Sequence, residues 1–112
     1  MRKLLVVLCV ALHATAVRAD FFDGNRLLNE LRDVNGYGFF TSIGYIQGVV
    51  DAHSSLFFCP PTNVTAGQVR DMVRNHLDAN PQIRHIAAER IIREQLEKVW
   101  PCRNRGGGGT RL

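Results

Sequence analysis

His53, His76 and His85, Cys59 and Cys102, and the run Asp51-Ala52-His53 are the side chains best suited to metal binding, nucleophilic attack or proton transfer. Each fails a test of spacing. No HxxxH or CxxC pattern brings the histidines or cysteines together as metal ligands. His53 and His76 fall on apolar helix faces, where a hydrogen-bonded core histidine is the commoner state. Asp51 and His53, two positions apart on a helix, point about 200° away from each other and cannot pair as acid and base. A Cys-His nucleophile needs a free thiol. No glycine-rich phosphate loop joins a strand, and no basic-aromatic alternation suits nucleic acid. The expectation is a domain that is not an enzyme and that holds no metal and no cofactor.

The 112-residue chain opens with Arg2 and Lys3, a short apolar run from Leu4 to Leu12, and Val17 and Ala19 at the minus-three and minus-one positions. That is the pattern of a secretory signal peptide over residues 1–19, cleaved after Ala19; an uncleaved signal anchor is the other reading. Cys9 has no small residue just before it, which argues against a lipid anchor. With Arg2, Lys3 and Arg18 removed, eleven basic side chains face ten acidic ones, net +1. Residues 20–102 alone hold eight against ten, net −2, so the basic balance of the whole chain does not indicate nucleic-acid binding. Export also leaves two cysteines, and an even pair in an exported chain is most simply one disulfide, Cys59 to Cys102. No stable membrane association is expected once the signal is gone.

Four helices should position these residues. The first starts after Asp23, a good N-cap, with Phe22 and Leu27 as a hydrophobic staple; Leu27, Leu28, Leu31 and Val34 are its apolar face, and Asn35-Gly36 ends it. The third starts at Thr65-Ala66-Gly67-Gln68, a capping box, and stops at Asn80-Pro81. Its apolar face is Val69, Met72, Val73, His76 and Leu77, and Gln68, Asp71, Arg74, Asn75 and Asp78 lie opposite. The fourth runs from about Ala87 to Trp100, with Ala88, Ile91, Ile92, Leu96 and Val99 inward. Outward, Glu89 to Arg93, Arg90 to Glu94 and Glu94 to Lys98 form i, i+4 pairs. Asn63-Val64-Thr65 matches an N-glycosylation acceptor, relevant only in a eukaryotic secretory pathway. Residues 103–112, with four consecutive glycines, form a tail expected to be disordered.

The remaining helix, Thr41 to Phe58, is apolar around most of its circumference. Phe39, Ile43, Ile46, Val50 and Phe57 make one stripe, and Gly44, Gly48, Ala52 and Ser55 make a second of small residues. Gln47, Asp51 and Ser54 form a narrow polar seam. Such a helix should be the buried axis, with Gln47, Asp51 and Ser54 as internal polar contacts. Its glycines each cost roughly 1 kcal/mol of helix propensity, and close approach of another helix is the expected return.

Five ordered blocks carry a family resemblance: Gly44-Tyr45-Ile46-Gln47-Gly48-Val49-Val50-Asp51-Ala52, Phe58-Cys59-Pro60-Pro61, Val64-Thr65-Ala66-Gly67-Gln68, Leu77-Asp78-Ala79-Asn80-Pro81 and Trp100-Pro101-Cys102. Together they resemble the Rap/Tai family of bacterial immunity proteins over nearly all of the exported domain. The resemblance implies a periplasmic, all-α protein, often a homodimer, that binds and blocks a peptidoglycan amidase delivered by a type VI secretion system. It also implies scaffold roles for Gly44, Tyr45, Gly48, Asp51, Pro60 and Thr65. Many relatives carry a second cysteine pair joining the first two helices; here the corresponding positions are near Leu31 and Ser42. The expected contact surface is the polar face and N-terminus of the third helix: Gln68, Asp71, Arg74, Asn75 and Asp78. The alternative function, from a different class, is a periplasmic stress or holdase-type helical protein with no dedicated enzyme partner.

Overall fold

A computed structural model describes residues 22–103. The expected signal peptide with its cleavage point, and the expected tail beyond Arg103, lie outside the described residues. Four α-helices and one short 3-10 turn follow in order: α1 Gly24–Arg32, α2 Tyr37–His53, α3 Ala66–Ala79, the turn Pro81–Ile83, and α4 Ala88–Val99. The described residues hold no strand beyond isolated bridges, among them an antiparallel one that ties Asp23 to Ala87. The fold is all-α, as expected.

The helix starts follow their caps. The Asp23 carboxylate accepts from the Arg26 N–H at 2.8 Å, which satisfies one of the orphan donors of α1. At α3 both halves of the capping box are made: Thr65 Oγ1 accepts from the Gln68 N–H, and Gln68 Oε1 accepts from the Thr65 N–H. The C-terminus of α3 is closed from a distance. Arg84 donates through Nε to the Leu77 carbonyl at 2.7 Å and through Nη2 to the Asp78 carbonyl at 2.9 Å. α4 lacks a side-chain N-cap of its own. Burial holds the nearby Tyr45 phenol above its ordinary pKa. Phe22, expected to staple onto Leu27, stacks on the Tyr45 ring with centroids 4.6 Å apart.

Leu27, Leu28 and Leu31 of α1, Ile46 and Val49 of α2, Val69, Val73 and Leu77 of α3, and Ala88, Ile91, Ile92 and Leu96 of α4 close around one core, with Phe58 from the loop. The Leu31 and Ser42 side chains are both fully buried, Ser42 donating to the Phe39 carbonyl at 2.7 Å. Val34 and Val99, expected inward, are about half exposed. Each lies at or beyond a helix end, because α1 stops at Arg32 and α4 at Val99.

α2 departs furthest from expectation. It starts at Tyr37 and stops at His53, well before Phe58. Ser55 then takes a left-handed conformation (φ 71°) and its N–H donates to the Phe58 carbonyl at 2.7 Å. The reversal drops Phe58 into the core with no exposed surface, a burial worth about 1.5–3 kcal/mol. Phe57 is left 42% exposed. Nor is α2 a buried axis: only Ser42, Ile46 and Val49 are buried along it, and Gln47 and Asp51 face outward with Gly44, Gly48 and Ala52. A Cβ at Gly44 or Gly48 would meet nothing within 4 Å, so no helix among the described residues crosses the glycine row. The expected return on its propensity cost is absent among the described residues.

Close approach occurs instead at Gly24. A Cβ there would sit 2.7 Å from Ile91 Cδ1 and 2.9 Å from both the Arg84 Cα and its carbonyl oxygen. The Gly24 N–H donates to the Ile86 carbonyl at 3.1 Å and the Asn25 N–H to the Arg84 carbonyl at 2.9 Å. The start of α1 is thus laced to the segment before α4.

Candidate functional site

The Cys59 and Cys102 sulfurs are bonded, with Cα atoms 4.9 Å apart. The Cys59 N–H also donates to the Trp100 carbonyl at 2.8 Å. This double tie fixes the end of α4 beside the Cys59-Pro60-Pro61 segment, which leads into α3. Between them lies a groove of about 440 Å³, walled by Pro61 and Trp100 and floored by Val64 and Met72. Its polar lining is Asn63, Gln68, Asp71 and Asn75.

The five residues expected on the contact surface therefore separate into two groups. Gln68, Asp71 and Asn75 share the Trp100 groove. Arg74 and Asp78 do not: Asp78 pairs with Arg32 of α1, and Arg74 Nε lies 4.0 Å from Asp78 Oδ2. Those two belong to a tie between α1 and α3. The Arg70 guanidinium, from outside the groove lining, hydrogen-bonds the Asp71 carboxylate at 2.9 Å and holds its pKa below the ordinary carboxylate value. The lining is thus amide-rich, with one carboxylate and a partly buried tryptophan at its edge. Asn, Gln and Asp side chains offer donors and acceptors that match polypeptide backbone, while Trp100 and Met72 offer an apolar seat. Trp100 was absent from the expected contact set; its position next to Pro101-Cys102 was the signal that could have placed it there.

The histidines are dispersed. His53 Nδ1 bonds the Val49 carbonyl at 2.9 Å and Nε2 lies 3.1 Å from Glu89 Oε1. Arg93 reaches the same carboxylate at 3.2 Å and sits over the Phe57 ring. This cluster joins α2 to α4. His85 is exposed. His76 lies near Asn80, whose side-chain amide is 3.3 Å from Nδ1. Burial, and secondarily the Lys98 charge, hold the His76 imidazole below its ordinary pKa. The neutral form is therefore favoured by folding, and stability present above pH about 6.5 should fall as pH drops through the lowered folded value. His76→Gln should flatten the decline in urea midpoint between pH 7 and pH 5. An unchanged slope in the variant would contradict this assignment. Among the described residues, no group of three or more His, Cys, Asp or Glu side chains could hold a metal ion.

These features define a small all-α domain, pinned by one disulfide, whose open side is a groove and not a cluster of reactive groups. The chain belongs to the family of Rap1a immunity proteins, whose sequence profile matches residues 24–102. That span runs from the first residue of α1 to the second cysteine of the disulfide. Membership implies binding to a secreted effector and a non-enzymatic, inhibitory role. No curated protein matches the chain.

Proposed function

We propose that this protein is a periplasmic immunity protein that binds and sterically blocks a peptidoglycan amidase delivered by a type VI secretion system. The family match over residues 24–102 carries the reading. The export signal read in residues 1–19 supports the compartment. No helix of the described residues is long and apolar enough to cross a membrane. An amidase acts only while its cleft admits a stem peptide, so occupying that cleft is sufficient and no bond needs to be made or broken. The contact surface is the groove face of α3, with Trp100 and Met72 as the apolar anchor and Gln68, Asp71 and Asn75 as polar partners.

A second copy forms part of the same reading. Val34, Tyr37 and Phe40 are 49%, 86% and 67% exposed around the start of α2. Such a cluster of large apolar side chains suits self-association. Light scattering of the purified exported form should give twice the monomer mass, and Phe40→Asp should return it to monomer.

The inhibition itself is tested by adding the exported form to a purified type VI amidase acting on peptidoglycan fragments. Turnover should fall to background near equimolar inhibitor. Joint substitution Asp71→Ala and Asn75→Ala, both exposed, should weaken inhibition roughly tenfold with little change in the melting temperature. Full turnover at excess wild-type inhibitor, across amidases of this class, would contradict the proposal.

A further inference from the structure

A second depression, of about 300 Å³, shares Val64 with the Trp100 groove and opens between α2 and the start of α3. Its floor is apolar: Ile46 and Val69 are 1% and 5% exposed, and Val50 lines it beside Val64. Gln47 and Asp51 stand on its rim, and Asp51 is its sole charged lining residue. The carboxylates of Asp71, Asp78, Glu89 and Glu94 all pair with arginines. Asp51 is exposed and has no such partner among the described residues. Gly48, one turn away on the same face, leaves the approach to it open, since a Cβ there would meet nothing within 4 Å.

We propose that this slot receives a lysine or arginine side chain of the effector. The inference rests on the effector-binding reading above and specifies the chemistry of the contact. A long cationic side chain lays its alkyl stem along Val50, Val64 and Val69 and brings its charged head to the Asp51 carboxylate, with the Gln47 amide oxygen as a second acceptor. A purely apolar occupant would cover Asp51 without a partner, at a desolvation cost that the slot's small apolar area does not offset. An acidic occupant would be repelled. The slot is continuous with the Trp100 groove through Val64, so one effector element can fill both.

Two measurements separate this inference from the immunity reading. In the first, N-acetyl-lysine N-methylamide and N-acetyl-arginine N-methylamide are titrated into the 15N-labelled exported form, with N-acetyl-norleucine N-methylamide as an uncharged control. Amide shifts should concentrate at Gln47, Gly48, Asp51, Thr65 and Ala66 with the cationic probes, and should vanish in Asp51→Asn. In the second, the binding of the type VI amidase that the wild type inhibits is compared with its binding to Asp51→Asn. The exposed, unpaired carboxylate predicts an unchanged melting temperature and roughly 10- to 100-fold weaker binding, with a smaller dependence on salt. Equal binding by wild type and Asp51→Asn would overturn the slot while leaving inhibition intact. Shifts scattered elsewhere, or equal shifts with the norleucine probe, would also overturn it.

Discussion

Cys59→Ser should lower the unfolding free energy by about 4 kcal/mol, on the chain-entropy estimate for this loop. The two cysteines are 43 positions apart, so the bond closes much of the domain into one loop and removes many conformations from the unfolded chain. A domain this small has a total stability of roughly 5–15 kcal/mol, and losing that much leaves it close to its limit. The same substitution should damage function, because the bond and the Cys59 N–H to Trp100 carbonyl contact together hold the walls of the Trp100 groove in place. Urea titration of the wild type, the reduced wild type and Cys59→Ser should show the last two superimposed and shifted to much lower denaturant. A loss below about 1 kcal/mol would mean that the core alone holds the end of α4 beside the Cys59-Pro60-Pro61 segment.

Gly24→Ala is the second large effect, a net loss of about 2 kcal/mol even after the gain in helix propensity. The new methyl group would sit 2.9 Å from Arg84 backbone atoms, and that backbone is held by the Asn25 hydrogen bond. Moving Arg84 would in turn disturb the side chain that closes the C-terminus of α3. Gly48→Ala should behave in the opposite way. With open space around the new methyl, it should gain up to about 1 kcal/mol of helix propensity. For a domain of this size that raises the melting temperature by about 4–8 °C. Thermal unfolding of the two single variants gives opposite signs on this account. A destabilised Gly48→Ala monomer would mean that something within the chain covers the α2 face.

The contrast between these glycines shows where the sequence was legible. Asp23 and Thr65 announced their helices because a cap is a local device, made by residues three positions apart. The leucine face of α1 and the Ile91, Ile92 and Leu96 face of α4 were readable because charged residues on the far side leave periodicity one choice. The disulfide followed from counting. α2 offered no such choice: with scarcely any charge around it, the pattern cannot say which stripe is covered. Its end was also misplaced, because Ser55 adopts a left-handed backbone that a serine does not advertise. Gly24 escaped notice because the atoms that crowd it, from Arg84 and Ile91, lie far along the chain.

The candidate site was half legible for the same reason. The polar face of α3 could be read from its period, and Gln68, Asp71 and Asn75 do share a groove. Arg74 and Asp78 lie on the same helix face, but Arg32 of α1 reaches Asp78, a tertiary contact that no local pattern encodes. Trp100 and Asp51 come to the two grooves through tertiary packing. Asp51 in particular was expected inside the fold and stands at its surface.

The most direct test is stoichiometric inhibition. The exported form, with its disulfide intact, is titrated into a purified type VI peptidoglycan amidase while release of stem peptides from peptidoglycan fragments is followed. Turnover should fall linearly and reach background near one inhibitor per enzyme. Turnover that stays at its starting rate in excess inhibitor, across enzymes of this class, would contradict the account.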